Sequence, residues 1–323
     1  MRNPIEDKGI PVKDGLPDSY FEYPKRKYGM DHDRYDWSLL VRRKPVTWPN
    51  DARVALWINV ALEYFPLDMP GKPFKAPGGT VTTYPDLRHY TLREYGNRVG
   101  VFRVMEVFDK LGIRKVTAAI NSSVAERNPF LIEEANRLGW EVMGHGVDMG
   151  KLHYGGQSVD EERALVKQSL ESLRKLSGQK VRGWLSPAKS ESYNTPDLIA
   201  EAGIEYFCDW VNDDMPFPFK TKSGPIIAMP HQHWLSDSTI MLHYKQSGQD
   251  FIDQINDQFE VLYNEAGTQG GRILAITIHP WMSGQPHRIK FLEEALAPIM
   301  KHKGVWQATG AEILDAWKKQ QEF

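Results

Sequence analysis

The sequence has 323 residues, of which 41% are hydrophobic and 25% are charged, a composition typical of a globular protein and not of a disordered or fibrous chain. Its 40 basic and 42 acidic residues give a formal net charge of −2, so no overall field favours nucleic acid or a membrane surface as a partner. The single cysteine, Cys208, excludes an intramolecular disulfide framework and any cysteine-rich metal site. We therefore expect a small-molecule substrate.

The start of the chain lacks the apolar core of a signal peptide, and no segment approaches the ~20 apolar residues of a membrane span. Together with the lone cysteine, this pattern predicts a cytoplasmic protein. Residues 1–50 are rich in proline, charged residues and tyrosine and show no steady periodicity. They predict an extended arm that packs on another surface, such as a second subunit, while residues 51–323 predict a single domain.

The apolar pattern predicts alternating strands and helices from residue 52 onwards. The first strand covers 52–62 and ends at Glu63, and the loop at 66–90 that follows is expected to shape a pocket, because loops of this length are usually functional or disordered. Further strands are predicted at 115–120, 140–143, 181–185, 204–208, 225–229, 272–278 and 305–306. Helices are predicted at about 97–111, 128–138, 159–178, 195–202, 249–265, 286–302 and after Thr309.

Two of the predicted helices begin with capping signals. Ser158 and Glu161 have the spacing of a capping box, and Thr309 with Glu312 repeats it. The alternation of strands and helices indicates a parallel sheet, and the number of strands fits a barrel better than a small open sheet. The expected fold is therefore an α/β barrel with an extended N-terminal arm.

Several predicted strands end in polar residues of catalytic type. The clearest case is the buried run 274–278, which delivers His279 to a loop. The other strand ends carry Glu63, His145, Ser186 with Pro187, and the polar segment 209–214. Because the carboxyl ends of parallel strands meet on one face of a barrel, these residues are expected to share a pocket.

Five sequence blocks, in the same order, resemble the polysaccharide deacetylase superfamily (NodB-type, carbohydrate esterase four). The blocks are residues 95–100, 144–146, 183–187, 212–213 and 277–280, within a resemblance that covers roughly 48–317. They look most like the branch that holds the metal-independent allantoinases and certain cytoplasmic deacetylases of peptidoglycan type. The resemblance implies a distorted barrel of the (β/α)7 type and, together with the aromatic arm, a homodimer or homotetramer.

The usual site of this superfamily holds a divalent metal with one Asp and two His, and uses an Asp as base and a late-strand His as acid. By resemblance, His279 takes the position of the acid. The family's paired histidines are four residues apart, and here His145 is followed at that distance by Met149, a poor ligand for such a cation. One histidine ligand is therefore missing.

The family's acidic pair is also incomplete, because Glu63 is the single carboxylate of its block. If the pair is matched as adjacent residues, Glu63 is the base and Tyr64 replaces the ligand. If it is matched with one residue between, Ala61 replaces the base and Glu63 is the ligand. The sequence leaves both registers open. A zinc or manganese site of Glu63, His145 and Asp148 is one expectation, and a site without metal is the other.

The predicted catalytic residues are Glu63, His145 and His279. His279 is expected to protonate the leaving nitrogen, because an imidazole titrates near neutrality. Glu63 is expected to activate water or bind the metal, and His145 to help stabilise the oxyanion. The predicted substrate-binding residues are Arg98, Trp184, Ser186, Pro187, Asp213 and Trp281.

Other polar residues have simpler interpretations. Asp213 and Asp214 are candidates for orienting one of the catalytic histidines, but acidic clusters before a proline are just as often turn residues. His231 and His233 share a face of a short extended segment, where packing is a simpler explanation than metal binding. Ser186 is not flanked as a nucleophile elbow, which argues against covalent serine catalysis.

Three functions follow from these features. The leading hypothesis is a hydrolase of a non-peptide carbon–nitrogen bond in a small cyclic ureide, imide or amide, as the allantoinase-like branch implies. The second is a metal-dependent N-deacetylase of an N-acetylated sugar or polysaccharide. The third is a barrel that binds a small ligand without catalysis, which the missing ligands motivate.

Overall fold

The computed structural model describes residues 30–67 and 87–321, together with Ser19 and Glu22. Within these residues the strands are β1 (Val54–Leu62), β2 (Val116–Ile120), β3 (Glu141–Gly144), β4 (Gly183–Trp184), β5 (Tyr206–Phe207), β6 (Phe217–Phe219), β7 (Ile226–Ala228), β8 (Arg272–Ile278) and β9 (Val305–Gln307). The helices are α1 (Leu87–Tyr95), α2 (Val101–Leu111), α3 (Ser122–Arg127), α4 (Pro129–Arg137), α5 (Val159–Ser177), α6 (Thr195–Glu201), α7 (Gly248–Gln269), α8 (Pro280–Ser283), α9 (Ile289–Lys301) and α10 (Gly310–Lys318).

The strands form one curled sheet in the order β6-β7-β5-β4-β3-β2-β1-β8, and β9 pairs with β1. Every pairing is parallel except that of β6 with β7. Beyond β8, the segment that follows β7 pairs with the sheet through an isolated parallel bridge between Ser236 and Thr277. This mostly parallel half-barrel with covering helices confirms the expected α/β fold class.

The central strands are buried on both faces, which explains their continuous apolar sequences. All nine residues of β1 and all seven of β8 are buried. Val54, Leu56 and Ile58 belong to the core shared with the helices outside the sheet. Ala55 and Trp57 alternate with them and belong to a second core inside the half-barrel, where α10 contributes its own apolar side chains.

Strand register determines which strand ends lie side by side. Leu62 pairs with Ile120, Ile120 with Gly144, and Gly144 with Trp184. The next residue of each strand therefore lies at one level, which brings Glu63 and His145 to the same edge of the sheet. On the other side of β1, Val60 pairs with Ile278, so His279 emerges at this edge as well.

Some predicted elements differ from the structure. The loop expected up to residue 90 ends earlier, because α1 begins at Leu87, and α1 continues into α2 through a π-helical turn, Gly96–Gly100. Strand β6 was not predicted, since its central residue is a proline. The Ser158 side chain makes no capping bond, so the capping box predicted there is wrong, whereas the box of Thr309 and Glu312 is confirmed.

The predicted arm is described from residue 30 onwards, where it contains the 3₁₀ turns Leu40–Arg42 and Pro49–Asp51. The Trp48 indole attaches it to the sheet by donating to the Arg272 carbonyl at 2.8 Å. Most of residues 1–29, and the loop residues 68–86 that were expected to shape a pocket, lie outside the described residues. Across the described ranges, no helix combines the length and the apolar composition needed to cross a membrane.

Candidate active site

A pocket of about 280 Å³ lies at the carboxyl end of the parallel strands. Its walls come from alternate residues of β1 and β8 and the residues just after them, because the side-chain period of a strand puts Ala61 and Glu63 on the same face of the sheet as Thr277 and His279. Loops after β3, β4 and β7 complete it. The other polar lining residues include Arg93, His145, Ser186, Lys189, His231, His233, Ser236 and His243.

Glu63 is a buried carboxylate with two fixed donors. Its Oε2 accepts hydrogen bonds from Arg93 Nε at 3.2 Å and from Trp281 Nε1 at 2.9 Å. The Arg93 guanidinium also lies 3.8 Å from the centre of the Trp281 ring. Burial works to raise the pKa of Glu63, but the charge of Arg93, followed by the charges of His279 and His145, brings the pKa of Glu63 below its usual value. Glu63 is therefore ionised at neutral pH and is a weak proton acceptor.

His279 forms a dyad with Asp237. Its Nδ1 lies 2.6 Å from Asp237 Oδ1, and its Nε2 lies 3.9 Å from Glu63 Oε1. Burial works to lower the pKa of His279, but the carboxylate of Asp237 and the charge of Glu63 raise it above the usual value. Because a carboxylate accepts, Nδ1 carries a proton, and the raised pKa favours a second proton on Nε2. His279 is arranged as a proton donor to the pocket.

Asp237 is a fully buried residue that sequence reasoning missed. Besides the His279 ring, its carboxylate accepts from the His279 backbone N–H at 2.8 Å, from Ser283 Oγ at 2.6 Å and from the Ser238 backbone N–H at 2.7 Å. A signal was present in the sequence, because Asp237 is the only acidic residue between positions 215 and 249. An isolated acid in such a long stretch indicates a carboxylate with a specific partner.

His145 has the opposite character. Its Nδ1 lies 2.7 Å from the Leu185 carbonyl oxygen, and burial lowers its pKa despite the opposing influence of Glu63. Because a carbonyl only accepts, the neutral ring carries its proton on Nδ1, and Nε2 is left as an acceptor. The predicted role of His145 as an oxyanion donor does not fit this tautomer, which is instead that of a base.

His231 and Ser186 are fixed by contacts within the wall. His231 Nε2 lies 2.6 Å from Asn59 Nδ2 and 3.1 Å from Thr277 Oγ1, and burial holds the pKa of His231 well below its usual value. The Ser186 hydroxyl accepts from Trp184 Nε1 at 2.9 Å and donates to Asp209 Oδ2 at 2.8 Å. With its proton directed to Asp209, Ser186 is not arranged as a nucleophile.

Of the nine predicted catalytic and substrate-binding residues, the structure brings five together and leaves four outside. Glu63, His145, Ser186, His279 and Trp281 line the pocket. Trp184 is fully buried below it, and Pro187 packs on Gly146, whose φ of +67° and lack of a side chain permit the close contact. Asp213 binds Arg43 at 2.6 Å beside a separate groove, and the Arg98 side chain is 70% exposed.

The donor set does not fit the expected metal. Among the described residues, no three histidine, cysteine or carboxylate side chains come together as possible ligands. Glu63 already binds Arg93 and Trp281, and Asp148 Oδ1 accepts from the Gly150 backbone N–H at 2.9 Å. The position that the resemblance assigns to a second histidine holds the apolar Met149, which lines the pocket.

Comparisons with known proteins agree with this fold, and the family match covers part of the pocket. The polysaccharide deacetylase family matches residues 93–207, which include Arg93, His145 and Ser186. A Schizosaccharomyces pombe protein is 27% identical to this chain over 251 residues, which are 71% of this chain and 76% of the relative. Its name assigns it provisionally to the polysaccharide deacetylases.

Two solved structures extend the likeness to most of the chain. A probable polysaccharide deacetylase from Pseudomonas aeruginosa PAO1 is 26% identical, with a TM-score of 0.76 over 85% of this chain and 94% of that one. The Puue allantoinase shares the fold with a TM-score of 0.79 at 24% identity, over 90% of this chain and 100% of that one.

Proposed function

We propose that this chain, a carbon–nitrogen hydrolase that carries a polysaccharide deacetylase domain, acts on a small cyclic ureide, imide or amide. One observation carries the proposal: a histidine held by a carboxylate and a histidine held by a carbonyl line the same pocket, with pKa values moved in opposite directions. Such a pair supplies an acid and a base at the same pH.

The two histidines divide the proton transfers of hydrolysis between them. His145 Nε2 accepts a proton from water as the water oxygen bonds to the carbonyl carbon of the substrate. When the tetrahedral intermediate collapses, the carbon–nitrogen bond breaks and His279 Nε2 gives its proton to the leaving nitrogen. Asp237 holds the His279 ring in position, and Glu63, 3.9 Å away, stabilises its charged form.

The pocket dimensions favour a small substrate. A volume of about 280 Å³ holds a five- or six-membered ring, and Trp281 contributes an aromatic side chain to its wall. Arg93 and Trp281 both donate to Glu63, so this side of the pocket is kept in one arrangement before the substrate enters. Pre-placed groups of this kind lower the reorganisation needed to reach the transition state.

The experiment that tests the function is a turnover assay with hydantoin, allantoin and succinimide, with and without chelator, followed by mass spectrometry of the opened product. We expect ring opening of at least one substrate that chelator does not abolish. His279→Gln should lower kcat by about 10²- to 10⁴-fold, the usual contribution of a positioned acid. His287→Gln, a change at an exposed histidine, is the matched control and should retain activity.

An unchanged rate in His279→Gln would contradict the role of His279 as acid, and failure to open any of the three rings would contradict the proposed substrate class.

A specific feature favours one second candidate, the N-deacetylation of an amino sugar. The rings of Trp234 and Tyr244 stack at 5.8 Å with an angle of 18°, remain 58% and 45% exposed, and adjoin the lining residues His233 and His243. Exposed stacked rings can hold a sugar face, so acetate release from N-acetylglucosamine oligomers belongs in the same assay.

A further inference from the structure

Lys189 is a pocket residue that the proposed reaction does not use. It closes the 3₁₀ turn Pro187–Lys189 after β4, and its side chain lines the pocket. One of its three N–H donors is spent on the His231 carbonyl, at 2.8 Å. Within the described ranges, no carboxylate oxygen lies within 4.0 Å of Lys189 Nζ, the distance at which the two would form an ion pair. The ammonium group therefore keeps donors for a group that enters the pocket.

The backbone that carries Lys189 is held in a rare conformation. Ala188 and Lys189 have left-handed φ values of 58° and 52°. Non-glycine residues adopt this region infrequently, and such residues cluster at binding sites where surrounding contacts enforce them. Here Asp209 is the enforcing group, because its two oxygens accept from the backbone N–H and the hydroxyl of Ser186, both at 2.8 Å.

The acid beneath the turn is itself supported. Glu191 lies against Asp209, and burial together with the negative charge of Asp209 raises the pKa of Glu191 well above its usual value. Glu191 is thus protonated, and the two oxygens of Asp209 stay available to the two Ser186 donors. The turn that directs Lys189 towards the pocket therefore rests on a fixed network of polar groups.

Among the described residues that line the pocket, Arg93 and His279 each contact an acid, and Lys189 does not. Arg93 has Glu63 at 3.2 Å, and His279 has Asp237 at 2.6 Å. Lys189 has the carboxylate of Asp209 at longer range, and burial lowers its pKa to about 8. It is still charged at neutral pH, and a half-buried cation without a contacting acid is stabilised by an incoming anion.

We propose that Lys189 makes the pocket selective for substrates that carry a carboxylate beside the bond that is hydrolysed. This inference rests on the proposed function for the reaction and adds the charge of the substrate. One ammonium matches a singly charged carboxylate, whereas phosphate groups are commonly held by several cationic or backbone donors. The volume of about 280 Å³ accommodates a five-membered ring with a short acidic side chain.

The test compares binding of three probes by calorimetry: hydantoin, hydantoin-5-acetic acid and the uncharged hydantoin-5-acetamide. We expect the wild-type protein to bind the acid about 10- to 100-fold more tightly than the amide at pH 7, the usual range for a charge-assisted hydrogen bond. Lys189→Met should lose the preference, and Lys189→Arg, which keeps the charge, should retain most of it. Circular dichroism and unfolding temperature check that both variants are folded.

The preference should also fall as the pH rises from 7 to 9, because Lys189 loses its proton near pH 8 while the probe stays anionic. The titratable groups that surround Lys189 are Cys208 and Asp209 after β5, Glu191 in the same loop, and His231 and His233 after β7. The two histidines have lowered pKa values, so they stay neutral over this range of pH.

Equal affinity for the acid and the amide in the wild type, or a preference that survives Lys189→Met, overturns the inference. Failure to detect binding of the acid by the wild type overturns it as well. Because the readout is binding, it separates the two proposals. An acid that is bound selectively but never opened contradicts the proposed reaction alone, and rings that are opened without regard to charge contradict the carboxylate selectivity alone.

Discussion

His145 and His279 line the same pocket but favour opposite protonation states, because their Nδ1 atoms have different partners. His145 meets a carbonyl at 2.7 Å, which fixes its tautomer but adds no charge, and burial then keeps it neutral. His279 meets a buried carboxylate at 2.6 Å, whose negative charge outweighs burial. For a neutral substrate, activity should therefore rise with pH below 6.5 as His145 loses its proton, and fall above 6.5 as His279 loses its own.

Asp237→Asn tests the origin of the alkaline limb. Removing the carboxylate charge removes what raises the pKa of His279, so the acid form is lost at lower pH and the alkaline limb of the kcat/KM profile should move to lower pH. The Asn amide can also donate to Nδ1 and reverse the tautomer, and we expect kcat to fall by about 10²-fold or more. The measurement is a pH profile between 5 and 9 with hydantoin.

The matched control is Ser283→Ala, which removes a donor to the same carboxylate at 2.6 Å and leaves the His279 contact in place. This variant should keep the position of the alkaline limb even if it unfolds at a lower temperature. A limb that moves equally in both variants would show that packing around Asp237, and not its charge on His279, sets the profile.

The residues that the sequence predicted to lie together, and that do line one pocket, are those that directly follow a strand. Glu63, His145 and His279 each follow a buried apolar run, and parallel register brings such ends together. Arg93, Lys189 and Asp237 were missed because they come from a helix, a strained turn and an irregular segment, where spacing gives no register. Long-range partners of this kind depend on tertiary packing that no local pattern encodes.

At the scale of elements, the pocket depends on how closely the π-helical turn Gly96–Gly100 packs against α8, which carries Trp281. A β-carbon at Gly96 would lie 2.6 Å from the Trp281 backbone nitrogen and 2.8 Å from its Cβ. Both partners are backbone or near-backbone atoms that cannot move aside cheaply. The close approach thus fixes the Trp281 indole where it donates to Glu63.

Gly96→Ala is therefore expected to destabilise the protein by about 1–3 kcal/mol, the usual cost of overpacking, and to lower activity by displacing Trp281. Gly267→Ala is the matched control within α7, where the new β-carbon meets no atom closer than 4.0 Å. There the substitution should stabilise by about 0.5–1 kcal/mol, because alanine is the better helix former. Urea unfolding of both variants measures the change in the free energy of unfolding. A change of the same sign in both variants would contradict the packing argument.

The period of the hydrophobic residues predicted the positions of uniformly buried strands well. It predicted poorly those features whose formation depends on a few residues. The runs at β1 and β8 are long and apolar on both faces, so sequence placed them within two residues. Helix α1 was not predicted, because its sequence is mostly polar and its buried side chains, His89 and Arg93, form no apolar period. The Ser158 cap failed because capping depends on a side-chain rotamer that spacing does not fix.

At the scale of the whole molecule, the sheet is an open half-barrel whose gap is crossed by the segment that follows β7. This segment touches β8 through the Ser236–Thr277 bridge, and it carries both His231 and Asp237. His231 joins it to the sheet by bonds to Asn59 on β1 and Thr277 on β8. Sequence predicted the parallel sheet, but the closure relies on side-chain bonds between distant segments, which periodicity does not reveal.

Because His231 takes part in this closure, the free energy of unfolding is expected to depend on pH. In the folded protein burial holds the pKa of His231 well below 6.5, whereas the unfolded chain binds a proton at about that pH. Below pH 6.5 the unfolded state therefore binds more protons, so the contribution of His231 to stability is complete above this pH and falls as the pH decreases.

His231→Gln removes the titrating ring and keeps a polar side chain, so two changes in the free energy of unfolding are expected. At pH 7.5 the variant should be less stable by about 1–3 kcal/mol, because Asn59 and Thr277 lose a well-placed acceptor. Between pH 7.5 and 5.0 it should lose less stability than the wild type, because one proton-linked group is gone. Urea midpoints at the two pH values give both quantities. The exposed His287→Gln should follow the wild type, and a His231→Gln protein with the wild-type pH dependence would show that His231 does not couple the closure of the half-barrel to acid.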